Sequence, residues 1–93
     1  MTTLEELNKL ETETIKEKGW RGYIDLINML LDKLHAGCFV SVEFASPRRR
    51  MRTVFLNCKE RSKALFTGNV HEIADVLETI YVFLSALYVT KTG

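Results

Sequence analysis

Four arginines within five positions, Arg48, Arg49, Arg50 and Arg52, are the residues of this sequence with the plainest chemistry. A guanidinium is planar and donates two parallel hydrogen bonds to one phosphate or carboxylate, so a cluster of them suits a polyanion. Lys59, Arg61 and Lys63 follow, and only Glu60 opposes them, which gives Arg48 to Lys63 a net charge of +6. The other residues carry six basic and eleven acidic side chains, so the overall charge of +1 hides a segregation. A basic segment on an acidic body is a footprint for nucleic acid or for an acidic protein surface. The bland alternative is a solvated loop that keeps the chain soluble.

Other reactive residue types offer less. Cys38 and Cys58 fall on an apolar face, which raises a thiol's pKa and argues against a nucleophile. His71, Asp75 and Glu78 share a helix face with mixed metal-ligand character, yet HExxH lacks its second histidine because Asp75 stands there, and acidic residues in a first turn are explained by the helix dipole. His35 reads as a helix-end residue. The chain has no Gly-rich phosphate loop, no GxSxG and no cysteine pair at zinc spacing. No enzyme, no cofactor and no metal site is expected.

The elements that position the arginines follow from periodicity. Thr3 and Glu6 have capping-box spacing and open a helix from about Leu4 to Lys18, with Leu4, Leu7, Leu10 and Ile15 as a narrow stripe; Glu5 with Lys9 and Glu13 with Lys16 are spaced to pair outside it. After Gly19 and Gly22, the residues Trp20, Tyr23, Ile24, Ile27, Leu30, Leu31 and Leu34 recur at helical spacing, with Asn28 on the polar side and Gly37 as the stop. From Cys38 the period becomes two. Cys38, Val40, Val42 and Phe44 match Val54, Leu56 and Cys58 only when paired numbers have an even sum, and a sum of 96 pairs Val40 with Leu56, Val42 with Val54, Phe44 with Arg52 and Cys38 with Cys58. Pro47, Arg48 and Arg49 then sit at the hairpin tip, and Phe39 and Phe55 lie on the outer face, where a base could stack. A short third strand around Ala64 to Thr67 would extend the hairpin into a meander. Asn69 and Glu72 cap a last helix to about Val89, whose broad face is Ile73, Val76, Leu77, Ile80, Phe83, Leu84, Leu87 and Tyr88.

The reading is one α+β domain over residues 1–93: two N-terminal helices, an antiparallel hairpin and a long apolar C-terminal helix packed on the sheet. A domain this small has thin stability, so a homodimer is expected, through Val82, Ala86 and Val89 on the opposite face of the last helix. The acidic N-terminus is unlike a signal peptide and the apolar run Ile80 to Val89 is half a membrane span, so a cytoplasmic, non-membrane protein is expected; Cys38 facing Cys58 makes a cross-strand bridge conceivable, but reduced thiols are the expectation there. The arginines, helped by Lys59, Arg61 and Lys63, then make it a non-catalytic interaction module for nucleic acid. The alternative is an inhibitor or adaptor bound to an acidic partner protein.

Overall fold

A computed structural model describes residues 4–46 and 50–92. The cap at Thr3 and the tip residues Pro47, Arg48 and Arg49 lie outside them. The order is α1 (Leu4–Lys18), a 3₁₀ turn (Gly19–Arg21), α2 (Gly22–Lys33), β1 (Cys38–Ser46), β2 (Met51–Cys58), β3 (Arg61–Gly68) and α3 (Val70–Thr92). The strands form one antiparallel sheet in the order β1-β2-β3, with the helices packed on its inner face.

The even-sum register is the one observed: Cys38 pairs with Cys58, Val40 with Leu56, Val42 with Val54 and Phe44 with Arg52. Val40 and Val54 are thereby aimed inward, 3% and 0% exposed, against Leu26, Ile27 and Leu30 of α2 and Ile73, Leu77, Tyr81 and Leu84 of α3. The third strand runs longer than expected, because Leu65 is skipped in the pairing between Phe66 and Ala64 and the strand continues to Arg61. Such a bulge breaks the alternation that a sequence reading relies on.

The second helix ends earlier than expected. Leu34 is its last cap residue, and the left-handed backbone comes first at His35, φ 55°, and again at Gly37, φ 70°. The His35 N–H donates to the Asp32 carbonyl at 3.0 Å and the Ala36 N–H to that of Leu31 at 3.0 Å, a Schellman closure that satisfies carbonyls with no glycine. At its start, Gly22 packs where a Cβ would meet Thr14 Cγ2 at 2.8 Å, so the bare backbone lets α1 and α2 touch. Among the described residues the ion pair is Lys18 with Asp25, rather than either pair expected along α1.

The last helix is capped as its sequence dictates, with the Asn69 N–H donating to Glu72 Oε1 at 3.1 Å and the Glu72 N–H to Asn69 Oδ1 at 3.0 Å. Its core face is rotated from the expected one. Tyr81 and Ser85 are buried, whereas Phe83 and Leu87 are 67% and 38% exposed. Tyr81 can turn inward because its hydroxyl donates to the Leu7 carbonyl at 3.1 Å and its ring packs on Tyr23, 5.7 Å away between centroids. Over Val70–Lys91 the helix is long and apolar enough to cross a membrane by length and composition, unlike the short run on which the sequence reading relied, but here it supplies much of the core.

These tyrosines carry a pH dependence. Tyr81 is pushed up to about 12, first by burial and then by the Glu11 charge. Tyr23 is raised too, by burial and by its hydrogen bond to Glu11 Oε2 at 2.7 Å. An unfolded tyrosine ionises near 10 while these stay neutral, so their stabilising contribution is whole below about pH 10 and is lost as the pH rises through about 12. Urea midpoints should fall across that window, and less steeply in Tyr81→Phe.

Cys38 and Cys58, with Cα atoms 4.3 Å apart, are joined in a disulfide. This corrects the expectation of reduced thiols. The register alone brings the two residues within bridging reach. Closing a loop over a separation of 20 residues constrains the unfolded chain by about 3 kcal/mol in the chain-entropy picture. Thermal melts with and without reductant should therefore differ by about 10 °C or more, and a Cys38→Ala/Cys58→Ala variant should lose that difference.

Candidate polyanion-binding surface

At the hairpin end of the sheet the basic side chains meet aromatic ones. Register places Arg52 beside Phe44, and its guanidinium lies 4.5 Å from the centre of that ring. Arg52 also lies 5.5 Å from the ring of Trp20, and Trp20 in turn carries Arg21 at 5.3 Å. Arg21, Trp20, Arg52 and Phe44 thus interleave, cation and ring alternately. A cavity of about 130 Å³ runs between them, lined also by Ile24, Val42 and Glu43. An open cleft of about 520 Å³ adjoins it, lined by Phe44, Arg50, Arg52 and Val70.

Local chemistry explains the arrangement. Trp20 sits in the 3₁₀ turn Gly19–Arg21, between α1 and α2, and packs only partly against the core. Phe44 lies past the last covered position of β1 and is 59% exposed. A guanidinium stacked on a ring uses its face and leaves its in-plane N–H donors available. Among the described residues no carboxylate comes within ion-pair distance of Arg21, Arg50 or Arg52. Lys18 differs. Its amine donates to Asp25 Oδ2 at 2.6 Å, and that hydrogen bond and charge hold its pKa above the ordinary value.

The basic segment of the sequence is not one patch. Arg50 and Arg52 stand at the hairpin end, while Lys59 lies in the turn between β2 and β3 and Arg61 and Lys63 on the strand that leaves it. Seven residues of strand separate Arg52 from Lys59, about 23 Å at 3.3 Å each. Arg61 and Lys63 line a second cleft there, with Leu56, Cys58 and Ser62. Arg48 and Arg49 lie outside the described residues.

The outer sheet face is a polar ladder with two rings in it. Asn57 Nδ2 donates to Ser41 Oγ at 2.9 Å, Ser62 Oγ donates to Asn57 Oδ1 at 2.6 Å, and the hydroxyls of Thr53 and Thr67 are 2.8 Å apart. Phe39 is 55% exposed and Phe55 half-buried on this face. Among the described residues no group of His, Cys, Asp and Glu could hold a metal ion, so His71, Asp75 and Glu78 do not form a site. Sequence reasoning missed Trp20 and Arg21, because Trp20 fitted the apolar stripe of the second helix; the available signal was the pairing of Phe44 with Arg52, which leaves a cation looking for an aromatic cover.

No family model, curated protein or solved structure matches the chain.

Proposed function

We propose that this chain is a non-catalytic module that binds nucleic acid through the hairpin end of its sheet, with Arg21, Arg50 and Arg52 on phosphates and Trp20 and Phe44 against bases. The interleaving of rings and guanidiniums carries this reading. Phosphate contacts need unengaged N–H donors, and base stacking needs ring faces or edges near them; both occur here within one cluster. Rings exposed on a surface suit unpaired bases better than a stacked duplex, so single-stranded segments are the favoured ligand. Arg48 and Arg49 adjoin this end in sequence and add charge, while Lys59, Arg61 and Lys63 attract at longer range.

Trp20→Ala tests the aromatic half of the proposal. Stacking on an aromatic side chain is worth about 1 to 3 kcal/mol per base, so the variant should bind a labelled single-stranded oligonucleotide about 5- to 150-fold more weakly by fluorescence anisotropy while its circular dichroism is unchanged. Binding of oligonucleotide as tight as wild type would remove the ring from the interface. Binding to an acidic polypeptide in preference to any oligonucleotide would favour a partner protein instead.

A further inference from the structure

The outward face of α3 carries an apolar patch beside a shallow groove. Val82, Phe83 and Leu87 are 55%, 67% and 38% exposed, with Ala86 exposed among them. One turn nearer the N-terminus, Asp75, Val76, Thr79 and Ile80 line a shallow groove of about 240 Å³ on the same helix. Thr79, Phe83, Ala86 and Thr90 follow the alternating four-three spacing of a helix–helix seam. Val89, expected on this face, is half-buried against the core and takes a flanking place at most.

A two-fold axis makes such a seam pair with itself in the opposite direction. The helix runs from Val70 to Thr92, so full antiparallel overlap pairs positions whose numbers sum to 162. That register sets Phe83 of each copy opposite Thr79 of the other, over the groove, and Ala86 opposite Val76. A large side chain meets a small one at both levels. Charge selects the direction. Glu72, Asp75 and Glu78 crowd the first half of the helix and Lys91 ends it, so a parallel pair would set carboxylates against carboxylates. The antiparallel pair instead brings Lys91 level with His71 and Glu72 and opposes the helix dipoles. The seam threonines are already satisfied, with Thr79 Oγ1 donating to the Asp75 carbonyl and Thr90 Oγ1 to the Ala86 carbonyl, each at 2.8 Å. Covering them strands no polar group.

We infer that the outer face of α3 is an interface for a second copy of this chain, packed antiparallel with Phe83 of each copy seated over Asp75, Val76, Thr79 and Ile80 of the other. The inference is independent of the polyanion reading. Sedimentation equilibrium of the full chain should approach twice its 10.7 kDa mass as concentration rises, and Phe83→Asp should remain at one chain mass with an unchanged circular dichroism spectrum; Ala86→Arg repeats the test should Phe83→Asp fail to fold. A short bismaleimide, which spares the bridged Cys38 and Cys58, should link Thr79→Cys chains to Phe83→Cys chains in a mixture more readily than Phe83→Cys chains to each other. A wild type that stays at one chain mass overturns the inference, whether or not it pellets with phosphatidylcholine vesicles. So does a dimer that both seam variants leave intact, or a preference for links between two Phe83→Cys chains.

Discussion

Reversing two charges, Arg50→Glu with Arg52→Glu, is expected to weaken binding to a single-stranded oligonucleotide by on the order of a hundredfold or more at low salt. Two phosphate contacts disappear, and two carboxylates take their place beside Arg21 and the rings of Trp20 and Phe44. Each lost contact also retains its counterions, at about 0.7 per phosphate on a single strand, so the slope of log K against log salt should shrink by about 1.4. Arg50 is exposed and neither side chain is hydrogen-bonded or ion-paired to another described residue, so only the ring contacts of Arg52 are lost from the fold, and the variant's far-ultraviolet circular dichroism should match wild type. Lys59→Glu with Arg61→Glu is the control, since it makes the same charge change about 20 Å or more away along the strand, Arg61 being paired with Cys58. It should cost less than tenfold, by anisotropy under the same conditions. Equal losses in both variants would mean that net charge, not the hairpin end, governs binding.

The largest structural effect is expected from Asn28→Leu. β1 is an edge strand, so its free backbone groups need partners other than a neighbouring strand. The side chain of Asn28, from α2, supplies them: the Val40 N–H donates to Asn28 Oδ1 at 2.6 Å, and Asn28 Nδ2 donates to the Val40 carbonyl at 3.0 Å. Val40 is 3% exposed, so water does not replace the amide readily. Each stranded group costs about 1 to 3 kcal/mol, and two of them cost about 2 to 6. Domains of this size hold roughly 5 to 10 kcal/mol in all, so a large part of the population should unfold in mild urea. Asn28→Asp keeps the acceptor for the Val40 N–H and loses the donor, and should fall between the two. A change below about 0.5 kcal/mol in Asn28→Leu would show that the edge is satisfied some other way.

Asn28 also shows where a sequence stops being legible. Periodicity put it on the polar side of its helix, which is correct for a helix in isolation, but only the packing of α2 beside an unpaired strand edge gives a polar residue there a structural task. The hairpin was legible because parity leaves few choices: two alternating runs can bury their apolar sets together only in even-sum registers, and Cys38 facing Cys58 follows from one of them. The caps at Asn69 and Glu72 were legible because the motif is local. The rotation of α3 was not. Hydrophobicity ranks Phe83 above Tyr81 as a core residue, yet the Leu7 carbonyl offers a hydrogen bond that only tyrosine can use, and the phenylalanine is left outside. Counting charge along the chain likewise grouped Arg48 to Lys63, whereas β2, eight residues long, separates Arg50 and Arg52 at one end from Lys59 and Arg61 at the other.

Trp20 is the only tryptophan in the chain, and it sits inside the proposed site, so its emission reports occupancy directly. Titrating the wild type with an unlabelled single-stranded oligonucleotide at several salt concentrations is the most direct measurement. The predicted result is saturable quenching of Trp20, with log K falling linearly in log salt at a slope of about −0.7 for each phosphate held. Unchanged emission at low salt, or an affinity indifferent to salt, would contradict a site in which arginines hold phosphates beside that ring.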